Sequence, residues 1–216
     1  MVHVWCSNLV RQTARIESLS QILSADEIKR AGRFYYLQDR DKFIIARGTL
    51  RNILGRYLKM CPEEIRFRYG PFGKPELSYE VFRMEPLCFS VSHSHGLALF
   101  AVTRNRRVGV DIEHICQGLA IKDIARHFFT RQENIELESY PKGKQKKGFF
   151  ALWTRKEAYL KAIGTGIGIA GIRHGQETDS RWSFTSLRVA KGYAAAIASE
   201  GSDLTFQCLQ WTGSTD

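Results

Sequence analysis

The spacing of hydrophobic residues along the chain predicts two long helices among many short strands. Apolar side chains recur at helical spacing over residues 39–58 and again over 149–164. Shorter helices are predicted at 23–34, 121–129 and 130–140, the first from the capping pattern of Ser24 and Glu27. Strand-like segments are found at 3–6, 64–69, 87–105, 106–113, 181–199 and 204–211. Mixed strands and helices of this kind predict an α+β fold.

The two halves of the sequence resemble each other. The helix ending in "LRNILG" matches the one carrying "RKEAYLK", and "GLALFAVT" resembles "GYAAAIAS". We therefore expect two pseudosymmetric lobes, residues 1–105 and 106–216, each a small antiparallel sheet packed with a long helix. Chains of this type often bind their ligand between the lobes, so we expect the active site at the lobe interface.

The overall composition is that of an ordinary globular protein. Of the 216 residues, 44% are hydrophobic and 25% are charged. The chain has neither eighteen consecutive apolar residues nor a signal-peptide pattern, so we expect a cytoplasmic protein without a membrane partner. Its five cysteines are scattered and form no C-x-x-C pair, which argues against a disulfide framework or a zinc site.

The net charge of +10 favours anionic partners. Nucleic acid, phosphorylated small molecules, acidic proteins and anionic lipid all fit this charge, and the charge alone does not choose among them. Part of it lies in the segment "PKGKQKKG", residues 141–148, which we interpret as a basic loop. Its four lysines are Lys142, Lys144, Lys146 and Lys147.

The segment "RVGVDIEHI" places two acids in an otherwise apolar strand. Asp111 and Glu113 are two residues apart, so both carboxylates point to the same face. Like charges this close repel each other, and their burial requires a positive partner. One interpretation is a salt bridge to Arg106 or Arg107. The other is a bound cation.

The segment "WTRKEAYLKAIGTG" places Glu157 and Lys161 four residues apart, on one face of a predicted helix. A surface ion pair is the simple interpretation. Both residues, however, lie beside the apolar stripe of a helix that we expect in the core. Close to Asp111 and Glu113, Glu157 would complete three oxygen donors suited to Mg²⁺, and Lys161 would hold a phosphate.

Three further segments have less specific patterns. In "SVSHSH", Ser92 and His93 lie at a strand end, and His93 is a candidate partner for a phosphate or hydroxyl group. In "GPFGKP", Lys74 lies in a turn fixed by its glycine and proline neighbours, where an ordinary surface lysine is the alternative. The glycines of "GIGIAG", residues 166–171, follow a helix rather than a strand, so we interpret them as a loop and not as a dinucleotide fingerprint.

The order of the blocks "FGKP", "SVSHS", "GVDIE" and "WTRKEAYLKAIGTG" over residues 71–166 resembles a known family. It is similar to the two-lobed 4'-phosphopantetheinyl transferases of the surfactin-synthetase-activating (Sfp) type. The resemblance implies transfer of phosphopantetheine from coenzyme A to a serine of an apo acyl carrier protein or peptidyl carrier domain, with release of adenosine 3',5'-bisphosphate. It also implies a site between the lobes.

The same resemblance implies a role for each matched residue. Asp111, Glu113 and Glu157 match the Mg²⁺-binding acids, and Glu157 is also the implied base. Lys161 matches the lysine that contacts the pyrophosphate, and Lys74 matches one near the adenine end. Ser92 and His93 match the pair that contacts the nucleotide phosphates, with His93 on the 3'-phosphate. The basic position at the start of the first long helix matches Lys42, and further candidates for the 3'-phosphate are Lys29, Arg30, Arg33 and Arg47.

Two alternative functions stay open at this point. A nucleic-acid-binding module would explain the charge and the aromatic residues, but the spaced acids argue against it. A Mg²⁺-dependent phosphohydrolase would use the same acids with water as acceptor. If the chain is the transferase, we expect a monomer with no nucleic-acid partner. Residues 141–148 would then help to steer acidic carrier proteins.

Overall fold

A computed structural model describes residues 1–78, 86–165 and 180–213. The strands are β1 (Val2–Asn8), β2 (Phe67–Tyr69), β3 (Pro75–Leu77), β4 (Leu87–Ser94), β5 (Leu97–Arg104), β6 (Val108–His114), β7 (Trp182–Ser186), β8 (Tyr193–Glu200) and β9 (Phe206–Trp211). The helices are α1 (Ile16–Gln21), α2 (Ala25–Ala31), α3 (Leu37–Leu58), α4 (Ile121–Phe128), α5 (Arg131–Ser139) and α6 (Gln145–Ile163). Within these residues the α+β class is confirmed.

Two sheets form the centre of the molecule. The first has the order β4-β5-β1-β9, and the second has the order β6-β8-β7. Neighbouring strands are antiparallel except for β1 and β9, which are parallel. Strand β9 therefore belongs to the first sheet, although it falls in the second predicted lobe. The division into lobes at residues 105 and 106 otherwise stays a prediction.

The alternation of side chains along each strand creates a core on both faces of each sheet. Phe100 and Val102 of β5 pack on the long helix α3, whereas Leu99 and Ala101 point to the second sheet. On that side they meet apolar residues of β6, including Val110. The opposite face of the second sheet packs on α6. The layers are therefore α3, first sheet, second sheet and α6, a pair of sheets between two long helices.

Edge strands β4 and β6 are joined by side chains rather than by a backbone ladder. We call Ser90, Ser92 and Ser94 the serine seam. Their hydroxyl groups accept hydrogen bonds from the backbone N–H groups of Val110, Ile112 and His114, at 3.1, 3.4 and 3.0 Å respectively. The serine seam fixes β6 in register against β4 and brings the two sequence motifs side by side.

Helix α2 begins directly after its predicted N-cap residue, Ser24. The Ser24–Glu27 capping box is present, with the Ser24 N–H donating to Glu27 Oε2 at 3.0 Å. The prediction of a basic loop over residues 141–148 is wrong for its second half, because the connecting segment is a 3₁₀ turn at 142–144 and α6 begins at Gln145. The glycine segment 166–171 lies outside the described residues. No helix in the described ranges is long and apolar enough to cross a membrane.

Candidate active site

Close contact between β6 and α6 places the acidic residues together. Gly109 makes this contact possible, because a Cβ at that position would lie 1.9 Å from the Ala158 carbonyl oxygen and 2.5 Å from the Ala162 nitrogen. Gly109, Asp111 and Glu113 share one face of β6. The same closeness that excludes a side chain at 109 brings Glu157 and Lys161, on α6, near the two acids of β6.

Lys161 of α6 bonds to side chains of both β4 and β6. Its Nζ lies 2.6 Å from Asp111 Oδ1 and 2.8 Å from Ser92 Oγ. Ser92 in turn donates to Asp111 Oδ1 at 2.8 Å. Asp111 is 2% exposed, and Lys161 is therefore the cation that compensates its buried charge. The predicted alternative partners bond elsewhere, since Arg106 pairs with Asp203 and Arg107 with Glu200.

The environment of both glutamates disfavours negative charge. Burial raises the pKa of Glu113, and the charge of Asp111 raises it further, against an opposing hydrogen bond from Ser94. Burial raises the pKa of Glu157 to about 7. Asp111 and Glu113 add to this increase, whereas Lys161 opposes it. These interactions place the three acids within one electrostatic environment.

The structure does not present a closed metal site. Among the described residues, no group of three or more His, Cys, Asp or Glu side chains is arranged to hold a metal ion. Asp111 Oδ2 is nevertheless buried and has no hydrogen-bond partner in the described part of the chain. A divalent cation at that oxygen would offset the charge of Asp111, which adds to the effect of burial on both glutamate pKa values. The donors present are the carboxylate oxygens that Mg²⁺ prefers, and their assignment as its ligands stays a prediction.

A cleft of about 250 Å³ opens beside these residues. Glu157 and Lys161 line one side, and the turn carrying Lys74 lines the other. Lys74 Nζ donates to the Ala162 carbonyl at 3.2 Å, and burial lowers the pKa of this lysine. Lys74 is thus held against the end of α6, which differs from the ordinary surface lysine that was the alternative for this turn.

A larger basic pocket of about 730 Å³ adjoins the cleft. The two cavities share Phe72 and Gly73 in their walls, and we call the two together the groove. The cations of the larger pocket are Lys29, Arg30 and Arg33. These three residues are therefore available to an anionic ligand that reaches the acids. Arg47 differs, because it is buried 3.5 Å from Glu27 and stacks over aromatic rings.

His93 and Lys42 lie close enough to influence each other. Desolvation lowers the pKa of His93, and the positive charges of Lys161 and then Lys42 lower it further. Lys42 lies 3.4 Å from Asp39 in the first turns of α3. The charges of Lys161 and Lys42 thus act on His93 at the side of the site formed by β4 and α3, where they favour an anion.

Sequence reasoning missed two members of the serine seam. Ser94 donates to Glu113 Oε2 at 2.9 Å, and Ser90 binds the backbone of β6. The available signal is the alternation of serines at 90, 92 and 94, which places three hydroxyl groups on one face of a strand. In a strand whose sheet is buried, such a face requires hydrogen-bond partners.

Two family models match this chain. The model described as 4'-phosphopantetheinyl transferase, N-terminal, matches residues 11–105, and that of the 4'-phosphopantetheinyl transferase superfamily matches residues 107–198. The matches adjoin near residue 106 and together span most of the chain. The candidate site draws residues from both matched segments, since Ser92 lies in one and Asp111 in the other.

The chain is also similar to individual proteins. It is 42% identical to the 4'-phosphopantetheinyl transferase HetI of Nostoc over 77% of this chain and 70% of the relative. It is 34% identical to the transferase gsp of Aneurinibacillus migulanus over 70% of this chain and 60% of the relative. For the transferase Sfp of Bacillus subtilis the identity is 26%, over 71% of this chain and 65% of the relative.

A solved structure, Helicobacter pylori holo-[acyl-carrier-protein] synthase in complex with coenzyme A, aligns with 49% of this chain and 100% of its own. The TM-score is 0.38 and the identity is 19%. Family membership depends on the sequence matches and not on this structural likeness. On the match to the Nostoc transferase and the two family models, the chain belongs to the 4'-phosphopantetheinyl transferases of the Sfp type, a family of enzymes.

Proposed function

We propose that this chain transfers the 4'-phosphopantetheine group from coenzyme A to a serine of an apo carrier protein in a Mg²⁺-dependent reaction. The main observation is the convergence of Asp111, Glu157 and Lys161 beside a cleft that adjoins a basic pocket. Acids that hold a cation and a lysine that holds a phosphate are what attack on a pyrophosphate requires. The groove suits a long anionic co-substrate such as coenzyme A.

Glu157 is the proposed general base. A serine hydroxyl is a weak nucleophile, so its proton has to be removed as its oxygen attacks phosphorus. Without a bound cation, burial raises the pKa of Glu157 to about 7, so this carboxylate is a stronger base than an exposed one. Its place in the cleft wall beside Lys161 allows the acceptor serine to approach from the open side.

Lys161 is proposed to neutralise the leaving phosphate. Its ammonium group is held in place by Asp111 Oδ1 and Ser92 Oγ. Mg²⁺ bound by Asp111, Glu113 and Glu157 would supply charge neutralisation on the pyrophosphate. Lys161 would then donate to a phosphate oxygen, and the departing group would be adenosine 3',5'-bisphosphate. His93, Lys42 and Lys74 would hold the nucleotide end of coenzyme A.

The direct test is the mass of the acceptor. The protein is incubated with coenzyme A, Mg²⁺ and an apo acyl carrier protein, and the carrier is then weighed by mass spectrometry. The proposal predicts a gain of one phosphopantetheine group that requires the carrier serine and disappears with chelator. Cleavage of coenzyme A without a heavier carrier would instead support the phosphohydrolase, because water would be the acceptor.

Asp111→Asn serves as the matched inactive variant for this test. It preserves the size of the side chain but removes the charge that Lys161 compensates. The expected result is a loss of at least about a hundredfold in transfer rate, with the far-ultraviolet circular dichroism unchanged. Normal transfer by a folded Asp111→Asn protein would remove this residue from the proposed site.

A further inference from the structure

The serine seam contacts the two acids of β6 in matched pairs. Ser92 donates to Asp111 at 2.8 Å, and Ser94 donates to Glu113 at 2.9 Å. The third member, Ser90, lies beside Gly109 in the same register and binds the N–H of Val110 at 3.1 Å. The spacing of hydroxyl groups on β4 thus repeats the spacing of carboxylates on β6.

The Ser94 hydroxyl has both its hydrogen-bonding directions fixed. Its oxygen accepts from the His114 N–H at 3.0 Å, and its proton is directed to Glu113 Oε2. A hydroxyl held in this way orients the carboxylate that it contacts. Ser92 has a different role, because its oxygen also accepts from Lys161 at 2.8 Å. Ser94 therefore acts on Glu113 alone of the three acids.

Because Glu113 is half-buried, its hydrogen bond from Ser94 also affects the stability of the charged carboxylate. This hydrogen bond partly offsets the cost of the negative charge. With Oε2 held by Ser94, the other oxygen, Oε1, remains for a cation. Loss of the hydroxyl would leave the carboxylate with more rotamers and with a less stable charged form.

We propose that Ser94 is a positioning residue, which orients the Glu113 carboxylate for a divalent cation through its own hydroxyl group. The inference depends on the metal site of the proposed function. Ser94 acts through Glu113 and does not itself touch the metal or coenzyme A. Supporting residues of this kind typically change metal affinity by about tenfold or more when removed.

The test measures Mn²⁺ binding directly by electron paramagnetic resonance, without a catalysed reaction. Ser94→Ala should weaken Mn²⁺ binding by about tenfold, whereas Ser94→Thr, which retains the hydroxyl, should stay within about threefold of wild type. Ser90→Ala is the matched control. It removes a hydroxyl group of the same serine seam, but this hydroxyl binds the Val110 N–H and no acid. This variant should leave Mn²⁺ affinity within about twofold of wild type.

A double-mutant cycle with Glu113→Gln separates positioning from general loosening of the structure. In the Glu113→Gln background, Ser94→Ala should cause no further loss of Mn²⁺ affinity. Equal weakening by Ser90→Ala and Ser94→Ala would overturn the inference, and so would normal Mn²⁺ binding by Ser94→Ala. If wild type itself binds no Mn²⁺, the proposed metal site fails first and the inference fails with it.

Discussion

The folded protein disfavours the negatively charged form of the Glu157 side chain. Its pKa in the folded chain is about 7, raised mainly by burial from an ordinary value of 4.5. Because the folded pKa exceeds the unfolded one, folding takes up a proton between these values, and stability falls as pH rises through this window. The charged form of Glu157 therefore lowers stability. Such a loss is expected for a residue that is proposed to bind a cation and to act as a base.

Glu157→Gln should therefore stabilise the metal-free protein while abolishing transfer. At about pH 8 we expect its thermal midpoint to exceed that of wild type by about 2–4 °C, and at about pH 4.5 we expect the two midpoints to converge. Differential scanning calorimetry in the presence of chelator measures both. A variant less stable than wild type on the alkaline side would contradict the environment assigned to this carboxylate.

Lys161 should be important for stability as well as for transfer. Lys161→Met leaves Asp111, 2% exposed, without the cation that now lies 2.6 Å away. Breaking a buried pair in this way costs about 3 kcal/mol, measured as the free energy of unfolding in urea. Saturating Mg²⁺ should restore part of this loss by replacing the missing charge. Lys161→Arg, which keeps the charge, should lose much less stability.

At the scale of elements, the fit between β6 and α6 positions the site. Gly109→Ala would place a Cβ 1.9 Å from the Ala158 carbonyl, and the backbone of a packed helix cannot move at low cost. We expect a loss of about 1–3 kcal/mol in unfolding free energy and a large fall in transfer rate. Gly143→Ala is the control, because an added Cβ there would meet nothing within 4 Å. Equal stability of the two variants would contradict the close contact.

Local sequence signals predict some elements well and one poorly. The Ser24–Glu27 pair sets the start of α2 because a capping box is a local interaction. The lysine-rich segment from 141 has the glycines and the charge of a loop. In the structure, however, a Cβ at Gly148 would lie 2.7 Å from the Tyr140 ring. Gly148 thus serves close packing at the start of α6, a tertiary reason that no local pattern contains.

Local sequence patterns also predict part of the candidate site. Asp111, Glu113, Glu157 and Lys161 stand out because acids and a lysine interrupt apolar periodicity. The pairing of Lys161 with Asp111 requires the contact between β6 and α6, which depends on the fold. The role of Ser94 requires the alignment of two edge strands from different sheets. Short-range spacing carries neither piece of information.

At the scale of the whole molecule, the chain crosses between its halves. Strand β9 returns to pair with β1 and contributes Trp211 to the core beside α3. Sequence echo between the halves predicts two similar units, but it cannot reveal this return because parallel pairing with β1 is a long-range contact. The two sheets are thus joined by the serine seam and a common core, and the last strand returns the chain from the second sheet to the first.

We expect the positive charge of the molecule to attract acidic carrier proteins. Lys142 and Lys144 precede α6 and are exposed. Lys142→Glu with Lys144→Glu should raise the KM for an acidic carrier about tenfold at low salt and flatten its salt dependence, with kcat within about twofold. The control is Lys59→Glu with Arg104→Glu, an equal charge change. Lys59 caps the end of α3 opposite Lys42, and Arg104 lies at the end of β5 opposite the one that pairs with Ser94. Equal effects of both pairs would exclude local steering.

The proposed function depends most on the acids at 111, 113 and 157 holding one divalent cation together. The most direct measurement is the anomalous diffraction of Mn²⁺ in crystals grown with coenzyme A. We predict a single strong peak within bonding distance of carboxylate oxygens from Asp111, Glu113 and Glu157, beside the pyrophosphate. A peak elsewhere, or coenzyme A bound in the groove with no metal near these residues, would contradict the account.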